Sequence, residues 1–322
     1  MDQRISIIGG GTGISTVLGG LKDLTKNISA IITMADDGGG SGILREDFKM
    51  LPPGDIRDCL LALSNTAPAL EALLKYRFNG GSLNGQNVGN IILAALNDIY
   101  GSFDKALFEM SKVFNITGRV IPVTFEDTHL VAELSTGDKI VGESIIPKMA
   151  YKLEAKIIKM SMIPKIPRAN LEAIRAIEDS DILIIGPGSL YTSIIPNLII
   201  GGISPAIKNS RAKKIYIANI MTQKGETLGF SLKDHIDAIE KHSFEGIFDY
   251  VITNSNRNPK EIFRDYYSFE EAKPIFAEKE DRKFLKTRGI NLLERDLIEI
   301  KNSHIRHNPK ALAEIICKMG LL

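Results

Sequence analysis

Several features are scarce in this chain of 322 residues, and each scarcity argues against a class of protein. Its two cysteines, Cys59 and Cys317, stand alone, and no Cys or His is spaced as a metal ligand. We therefore expect no disulfide scaffold and no resident metal, since isolated thiols are typical of a reducing compartment. An excess of one charge is also lacking, because 40 Lys and Arg balance 39 Asp and Glu. This balance argues against nucleic-acid binding and against attachment to an anionic membrane.

Targeting and membrane-spanning segments are missing as well. Residues Met1–Arg4 are not a basic segment followed by an apolar block, so no signal peptide is predicted. One uncharged stretch, residues 182–207, is long enough to cross a bilayer, but it contains Pro187, Pro196 and Pro205. These prolines prevent a continuous helix. We expect this stretch to be buried strand and loop near a ligand, in a cytoplasmic protein without membrane insertion.

Glycine is concentrated just after the first predicted strand. The run Ile5–Ser15 indicates a buried strand, a glycine-rich bend and the first turn of a helix. Glycine backbone can approach a ligand closely, and the free N–H groups and dipole of a helix start favour an anion. The alternative is a turn that only tightens the packing of strand and helix. The predicted phosphate-binding residues are Gly9, Gly10, Gly11, Thr12 and Gly13.

The details of this first loop disfavour two common phosphate sites. A dinucleotide fingerprint needs glycine at its first, third and sixth positions. Counted from Gly9 the sixth residue is Ile14, and counted from Gly11 it is Thr16, so the fingerprint fails. No lysine follows the glycines, which excludes a Walker loop. An NAD(P)-dependent oxidoreductase is therefore the weakest of the functions considered.

A second glycine loop follows a second buried strand, predicted at Asp181–Ile185. The run Gly186–Ser193 offers backbone N–H groups and hydroxyls to an anion and can face the first loop across the sheet. Ser189 is not a nucleophile elbow, because Tyr191 replaces the last glycine of that motif. The predicted contacts are Gly186, Pro187, Gly188 and Ser189. No proton-transfer role is assigned to any histidine (His129, His235, His242, His304 or His307).

Polar side chains follow other predicted strands and begin predicted helices. Asp36 and Asp37 lie where a Rossmann-like sheet holds ribose, and they can instead hold Mg²⁺ or simply close a turn. Asp55 is either a helix N-cap or a functional acid. Asn87 and Asn90 flank Gly89 at another helix start, and each is a cap or a ligand contact.

The order of elements predicts a single α/β domain over residues 1–322. The first unit is a strand at Ile5–Ile8, a helix at about Ser15–Leu24 and a strand at Ile28–Met34, connected by a right-handed crossover. We expect a Rossmann-like, mostly parallel sheet with helices on both faces. A small β-rich insert is predicted at about residues 118–163, and the charged region from about Asn256 is expected to be solvated surface.

Six motifs occur in the order of a known family. They are Gly9–Gly13, Ala35–Gly38, Pro52–Arg57, Gly186–Ser193, Pro196–Leu198 and Asn219–Thr227. With these motifs the chain resembles, over almost its whole length, the YvcK-type gluconeogenesis factors, a branch of the CofD-like family. The resemblance implies a Rossmann-like fold with a nucleotide site at the carboxyl ends of the strands. It also implies that a homodimer can form.

The two branches of this family imply two functions. The YvcK-type branch binds UDP-sugars such as UDP-N-acetylglucosamine and supports cell shape and wall synthesis during gluconeogenic growth. The CofD enzymes transfer a 2-phospholactyl group from a guanosine diphosphate carrier to the deazaflavin Fo with Mg²⁺. By resemblance, the glycine loops hold diphosphate, Asp36 meets ribose or sugar hydroxyls, and Asn197 and Asn219 line the sugar pocket.

The favoured function is a UDP-sugar-binding regulatory protein without turnover. It would require no cofactor, although Mg²⁺ can accompany a diphosphate, and it would signal to a cell-wall or signalling protein. We expect the loop Gly38–Gly42 to become ordered when the ligand binds. The alternative is a CofD-like transferase in which Asp36, Asp37 and Asp55 hold Mg²⁺.

The chain departs from the family at two motif positions. Gln86 stands where the family usually has His, and it cannot titrate near neutral pH, which argues against proton transfer there. Asn308 stands where the tail motif Arg-His-Asp usually has its acid. The second change removes one negative charge at a position that has no predicted role.

Overall fold

The computed structural model describes residues 3–257, 271–301 and 304–320, and strands make up its centre. In chain order the strands are β1 (Ile5–Gly9), β2 (Ile28–Ile32), β3 (Arg119–Pro122), β4 (His129–Leu134), β5 (Lys139–Val141), β6 (Ile157–Ile163), β7 (Ile182–Ile185), β8 (Lys213–Ile217), β9 (Tyr250–Asn254), β10 (Asn291–Arg295), β11 (Ile298–Lys301) and β12 (His304–His307). Seven of these form one parallel sheet in the order β10-β9-β8-β7-β1-β2-β3. The predicted parallel α/β class is therefore confirmed.

Helices cover both faces of this sheet. They are α1 (Gly11–Leu21), α2 (Gly39–Phe48), α3 (Gly54–Leu63), α4 (Pro68–Lys75), α5 (Val88–Tyr100), α6 (Phe103–Val113), α7 (Ile146–Lys152), α8 (Leu171–Glu178), α9 (Ile195–Leu198), α10 (Ile203–Asn209), α11 (Leu232–Lys241), α12 (Lys279–Thr287) and α13 (Pro309–Gly320). Successive β1 side chains point to opposite faces. Ile7 packs in the core with α1, α3 and α13, whereas Ile8 packs in the core with α8, α10 and α11. Both faces are therefore apolar, which explains why the parallel strands read as continuous hydrophobic runs.

The connection order places a switch point between β1 and β7. From β1 the chain runs outward through β2 to β3, and it later returns beside β1 as β7 and continues through β8 and β9 to β10 at the opposite edge. Ligands of open α/β sheets bind outside the carboxyl ends of the strands at such a point. The first glycine loop follows β1 and the second follows β7, so the topology brings the two loops together.

The first loop differs from the prediction in one respect. Helix α1 begins at Gly11 rather than at about Ser15, so Gly11, Thr12 and Gly13 are themselves its first turn. Gly38–Gly42 was likewise expected to be a loop, but Gly39 begins α2. The bend was expected because glycine readily takes positive φ, and Gly11 and Gly39 do have positive φ although each begins a helix.

The β-rich insert is smaller than predicted. The strand expected near residue 120 is β3, which pairs in parallel with β2 and is the edge of the large sheet. Only β4, β5 and β6 form the separate antiparallel sheet, so the insert spans about residues 129–163 rather than 118–163. The turn predicted at residues 136–138 does connect β4 to β5.

The C-terminal region is more than a charged surface. Strand β10 extends the large sheet, β11 and β12 form a hairpin, and α13 packs along α1. A Cβ at Gly20 in α1 would lie 2.3 Å from the carbonyl oxygen of Pro309, so this close packing requires glycine. Within residues 3–257, 271–301 and 304–320, no helix is both long enough and apolar enough to span a membrane.

Candidate functional site

A cleft of about 700 Å³ opens where the two glycine loops meet. A Cβ at Gly13 would lie 2.5 Å from the carbonyl oxygen of Pro187, and one at Gly188 would lie 3.4 Å from that of Gly10. The two loops are therefore in direct backbone contact, and Gly13 has to be glycine for them to approach so closely. This juxtaposition is the arrangement that a shared anion site requires.

The first loop presents the start of a helix to the cleft. Gly10 is the N-cap of α1 and has no side chain to cap the helix, Gly11 has a φ of +66°, and the Asp55 carboxylate accepts a hydrogen bond from Gly11 N–H. The first backbone N–H groups of a helix have no partner within the helix. Gly10, Gly11, Thr12 and Gly13 all line the cleft. Backbone donors and the positive end of the helix dipole thus face the same space.

The second loop is held in place by side chains from a distant segment. The side chain of Asn219 accepts a hydrogen bond from Gly188 N–H at 3.1 Å and donates one to Gly188 C=O at 2.8 Å. Gln223 Nε2 donates to Ser189 Oγ at 2.7 Å. Glu226 accepts from Tyr191 N–H at 3.0 Å. The segment from residue 219 to 226 therefore fixes both the path of the loop and its hydroxyl.

Four carboxyl groups line the cleft, and each has a raised pKa. Burial, with the neighbouring carboxylate of Asp36 second, raises the pKa of Asp55 to about 7. Burial likewise raises the pKa of Glu143 to about 8 and that of Glu226 to about 7. The pKa of Asp36 is raised by burial, although its hydrogen bond from Gly38 N–H opposes the shift. Near neutral pH Asp55, Glu143 and Glu226 are thus partly protonated, which lowers their repulsion of an anionic ligand.

The adjacent acids Asp36 and Asp37 have different positions. Asp36 lines the cleft and accepts from Gly38 N–H at 2.9 Å. Asp37 is not among the cleft residues, because its carboxylate accepts from the N–H groups of Glu143 and Ser144 at 2.9 and 2.8 Å. Asp55 is in the cleft and does not cap its own helix α3, whose N-cap is Pro53, but its carboxylate accepts from Gly11 N–H at the start of α1. Within the described ranges no three His, Cys, Asp or Glu side chains are placed to hold a metal ion.

Three predicted amide contacts lie outside the cleft and have structural roles. Asn87 caps α5 by accepting from Asn90 N–H, and the Asn90 side chain accepts from Arg57. Asn197 donates to the carbonyl oxygens of Gly9 and Ser193. Asn at a strand end or helix start satisfies backbone groups as readily as it binds ligands, which is why the sequence could not separate these roles.

The other predicted residues fall in or beside the cleft. Pro187, Gly188, Ser189 and Asn219 line it. Gly9 and Gly186 are not among its lining residues and form the strand ends behind the loops. Gln86 is buried elsewhere.

The sequence analysis missed a third wall of the cleft, formed by strand β12. His304, Arg306 and His307 all line the cleft. His307 is buried and bonds to the carbonyl oxygen of Ala218 at 3.0 Å, and burial lowers its pKa to about 4. Asn308, the unexplained departure, caps α13 by accepting from Lys310 and Ala311 N–H. Asn caps a helix about as well as Asp, so the lost charge leaves the cap intact.

Comparison with known proteins places this fold and cleft in a family. The family model described as 2-phospho-L-lactate transferase CofD matches residues 5–298. The chain belongs to the CofD family, in its gluconeogenesis-factor branch. A protein of Thermoanaerobacterium thermosulfurigenes is 49% identical over 319 residues, which cover 99% of this chain and 97% of that protein. The protein named gluconeogenesis factor of Bacillus subtilis is 42% identical over 314 residues, with 97% and 96% covered.

A solved structure agrees with this assignment to the CofD family. The crystal structure of a UPF0052-family protein from Bacillus halodurans superimposes with a TM-score of 0.92 at 39% identity. The match covers 98% of this chain and 99% of that protein. The α/β Rossmann-like fold of this CofD-family chain is thus shared with an experimentally determined relative.

Proposed function

We propose that this chain is a nucleotide-sugar-binding regulatory protein of the UDP-N-acetylglucosamine type. It would support cell shape and cell-wall synthesis during growth on gluconeogenic carbon sources. The observation that carries the proposal is the contact of two main-chain loops at the sheet switch point, with a helix start facing the cleft between them. A diphosphate fits this chemistry, because the start of α1 and residues of both glycine loops line one small volume.

A binding role without turnover is favoured by the environment of Ser189. Its hydroxyl oxygen accepts a hydrogen bond from the Gln223 amide. An amide cannot take up a proton as a general base does, so Ser189 lacks the partner that would activate it as a nucleophile. The regulatory output would pass to a cell-wall or signalling protein, and a ligand can bias that output only by binding two states of the chain with different affinity.

The test is a thermal-shift panel followed by isothermal titration calorimetry. The panel contains UDP-N-acetylglucosamine, UDP-glucose, GDP, NAD and NADP. A ligand present at about 100 times its dissociation constant stabilises the native state by about 2.7 kcal/mol. We expect stabilisation by the UDP-sugars alone. The absence of binding at millimolar UDP-sugar would contradict the proposal.

The transferase alternative retains two supporting observations. The matching family model is described as a transferase, and Asp36 and Asp55 both line the cleft. Those two carboxylates could face a Mg²⁺ ion that neutralises a diphosphate. Asp37, the third acid of that hypothesis, is bonded to backbone N–H groups instead. Incubation with Fo, a lactyl-diphospho-guanosine donor and Mg²⁺ would form phospholactyl-Fo if the alternative holds.

A further inference from the structure

One wall of the cleft contains a buried amide oxygen that no described residue satisfies. Gln223 lines the cleft, and its Oε1 is buried without a hydrogen-bond partner in the described chain. Buried polar atoms in native proteins nearly always have a partner, because leaving one unpaired is costly. Because Gln223 lines the cleft, a bound ligand is the group that can supply the missing donor.

The other end of the same amide fixes a neighbouring hydroxyl. Gln223 Nε2 donates to Ser189 Oγ at 2.7 Å, so the Ser189 hydroxyl hydrogen points to another acceptor. Ser189 belongs to the second glycine loop and lines the cleft. The two side chains thus present one donor and one acceptor side by side, and a ligand that matches both carries an acceptor next to a donor.

The backbone of Gln223 holds this arrangement in place. Gln223 N–H donates to Thr227 Oγ1 at 2.9 Å. On the preceding residues, Thr222 N–H donates to the Lys273 carbonyl at 2.7 Å, and the Ile220 carbonyl accepts from Ile275 N–H at 2.8 Å. Because the segment is fixed on both sides, the donor and acceptor pair is formed before any ligand binds, as specificity requires.

We propose that Gln223 is a specificity-determining residue that recognises the substituent at C2 of the ligand's sugar. This inference rests on the nucleotide-sugar function proposed above. Ser189 O–H donates to an oxygen of the phosphate that carries the sugar, and Gln223 Oε1 accepts from the C2 hydroxyl or acetamido N–H. Fewer bonds separate the C2 substituent from the phosphorus that carries the sugar than separate any ribose hydroxyl from the phosphorus that carries the ribose. It is therefore the donor that fits an acceptor placed directly beside the phosphate-binding hydroxyl.

The experiment compares two ligands on two proteins by isothermal titration calorimetry. UDP-glucose carries a C2 hydroxyl, whereas UDP-2-deoxy-2-fluoroglucose carries a fluorine of similar size that cannot donate. We expect the wild-type protein to bind the fluoro ligand about tenfold more weakly, which corresponds to one lost hydrogen bond at about 1.4 kcal/mol per tenfold. Gln223→Leu should bind the two ligands equally, because the acceptor is gone.

Two further variants control this comparison. Gln86→Leu removes another glutamine whose buried Oε1 is unpaired but which does not line the cleft, so the tenfold preference should persist. Gln223→Glu keeps the acceptor oxygen, and its affinities for the two ligands are measured if Gln223→Leu does not fold. It should retain the preference while binding both ligands more weakly, because its charge faces the phosphate.

The outcomes separate the inference from the proposed function. A wild-type protein that binds both ligands equally, or a Gln223→Leu protein that keeps the preference, would overturn the inference and leave nucleotide-sugar binding in place. A wild-type protein that binds neither ligand would overturn the proposed function, and the inference with it.

Discussion

The two glycine loops face the same cleft but are stabilised in different ways. The first loop continues directly into α1, with Gly11 in the left-handed conformation, and remote side chains bond it at two points: Asn197 donates to the Gly9 carbonyl oxygen and Asp55 accepts from Gly11 N–H. The second loop is held by three side chains of one segment, because Asn219, Gln223 and Glu226 bond residues 31 to 35 positions earlier in the chain. The glycines of both loops can be recognised in the sequence, whereas the remote side chains that hold the loops cannot.

The largest effect should come from breaking the contact between the loops with Gly13→Ala. The new methyl group would lie 2.5 Å from the Pro187 carbonyl oxygen, so backbone has to move. Overpacking of this kind costs about 1–3 kcal/mol, and we expect UDP-sugar affinity to fall by about tenfold or more as the loops separate. Urea unfolding and calorimetry measure the two effects.

The control for that change is Gly19→Ala, also in α1. A Cβ at Gly19 meets nothing within 4 Å, so the substitution should stabilise the helix by about 0.5–1 kcal/mol and leave affinity unchanged. If Gly13→Ala and Gly19→Ala have the same stability and the same UDP-sugar affinity, the contact between the loops is not tight.

A smaller effect is expected when the distant support of the second loop is removed with Asn219→Ala. Both hydrogen bonds to the Gly188 peptide are lost. At about 1 kcal/mol for each bond, the free energy of unfolding should drop by about 1–2 kcal/mol. Affinity should fall about tenfold, because the second loop, which includes Ser189, is no longer held in place beside the cleft. Urea unfolding measures the loss of stability, and titration calorimetry measures the loss of affinity.

Asn170→Ala is the matched control for the Asn219 variant. Asn170 also makes two hydrogen bonds, from Glu172 N–H and to the Pro122 carbonyl, but it lies outside the cleft. We expect a similar loss of stability with unchanged affinity. If Asn219→Ala binds ligand as tightly as Asn170→Ala does, the second loop does not depend on its remote support.

The smallest effect concerns pH and Glu226, which supports the second loop. Its folded-state pKa of about 7 lies above the ordinary value of 4.5 for an unfolded glutamate. The folded state therefore holds a proton that the unfolded state has lost, and stability falls as pH rises from about 4.5 to about 7. Glu226→Gln keeps the acceptor for Tyr191 N–H and cannot titrate, so its melting temperature should decline less over this range. If the melting temperatures of the wild-type protein and Glu226→Gln decline equally with pH, Glu226 is not the group that causes the decline.

The sequence was sufficient for most of the sheet and for the first loop. Parallel strands such as β1 and β7 are apolar throughout because both their faces are buried, and the glycine run after β1 has few structural explanations. The meeting of the loops followed from the expected switch point. What the pattern did not contain was the direction of side chains, so Asn87 stayed open between a helix cap and a ligand contact, and only the resemblance placed Asn197 in the sugar pocket. Both side chains bond to backbone.

The rest of the site depended on contacts far apart in the chain. Nothing near Arg306 or His307 in the sequence indicates that their strand lines the cleft, because β12 is outside the large sheet. Asn219 was predicted from the resemblance as a sugar contact; it lines the cleft, and its side chain also bonds to the Gly188 peptide, which the sequence did not indicate. Such contacts join residues that are far apart in the chain, so they produce no repeating pattern in the local sequence.

The cleft is lined by residues that run from Gly10 to His307, so its order of assembly follows from the order of synthesis. A nascent chain that has emerged only as far as β9 would have both phosphate loops but not the hairpin that completes their third side. Ribosome-bound intermediates would then hold a nucleotide weakly, since ligand capture has to wait for contacts of very high sequence separation. Under the proposed function, this delay would restrict nucleotide-sugar binding to chains whose translation is nearly finished.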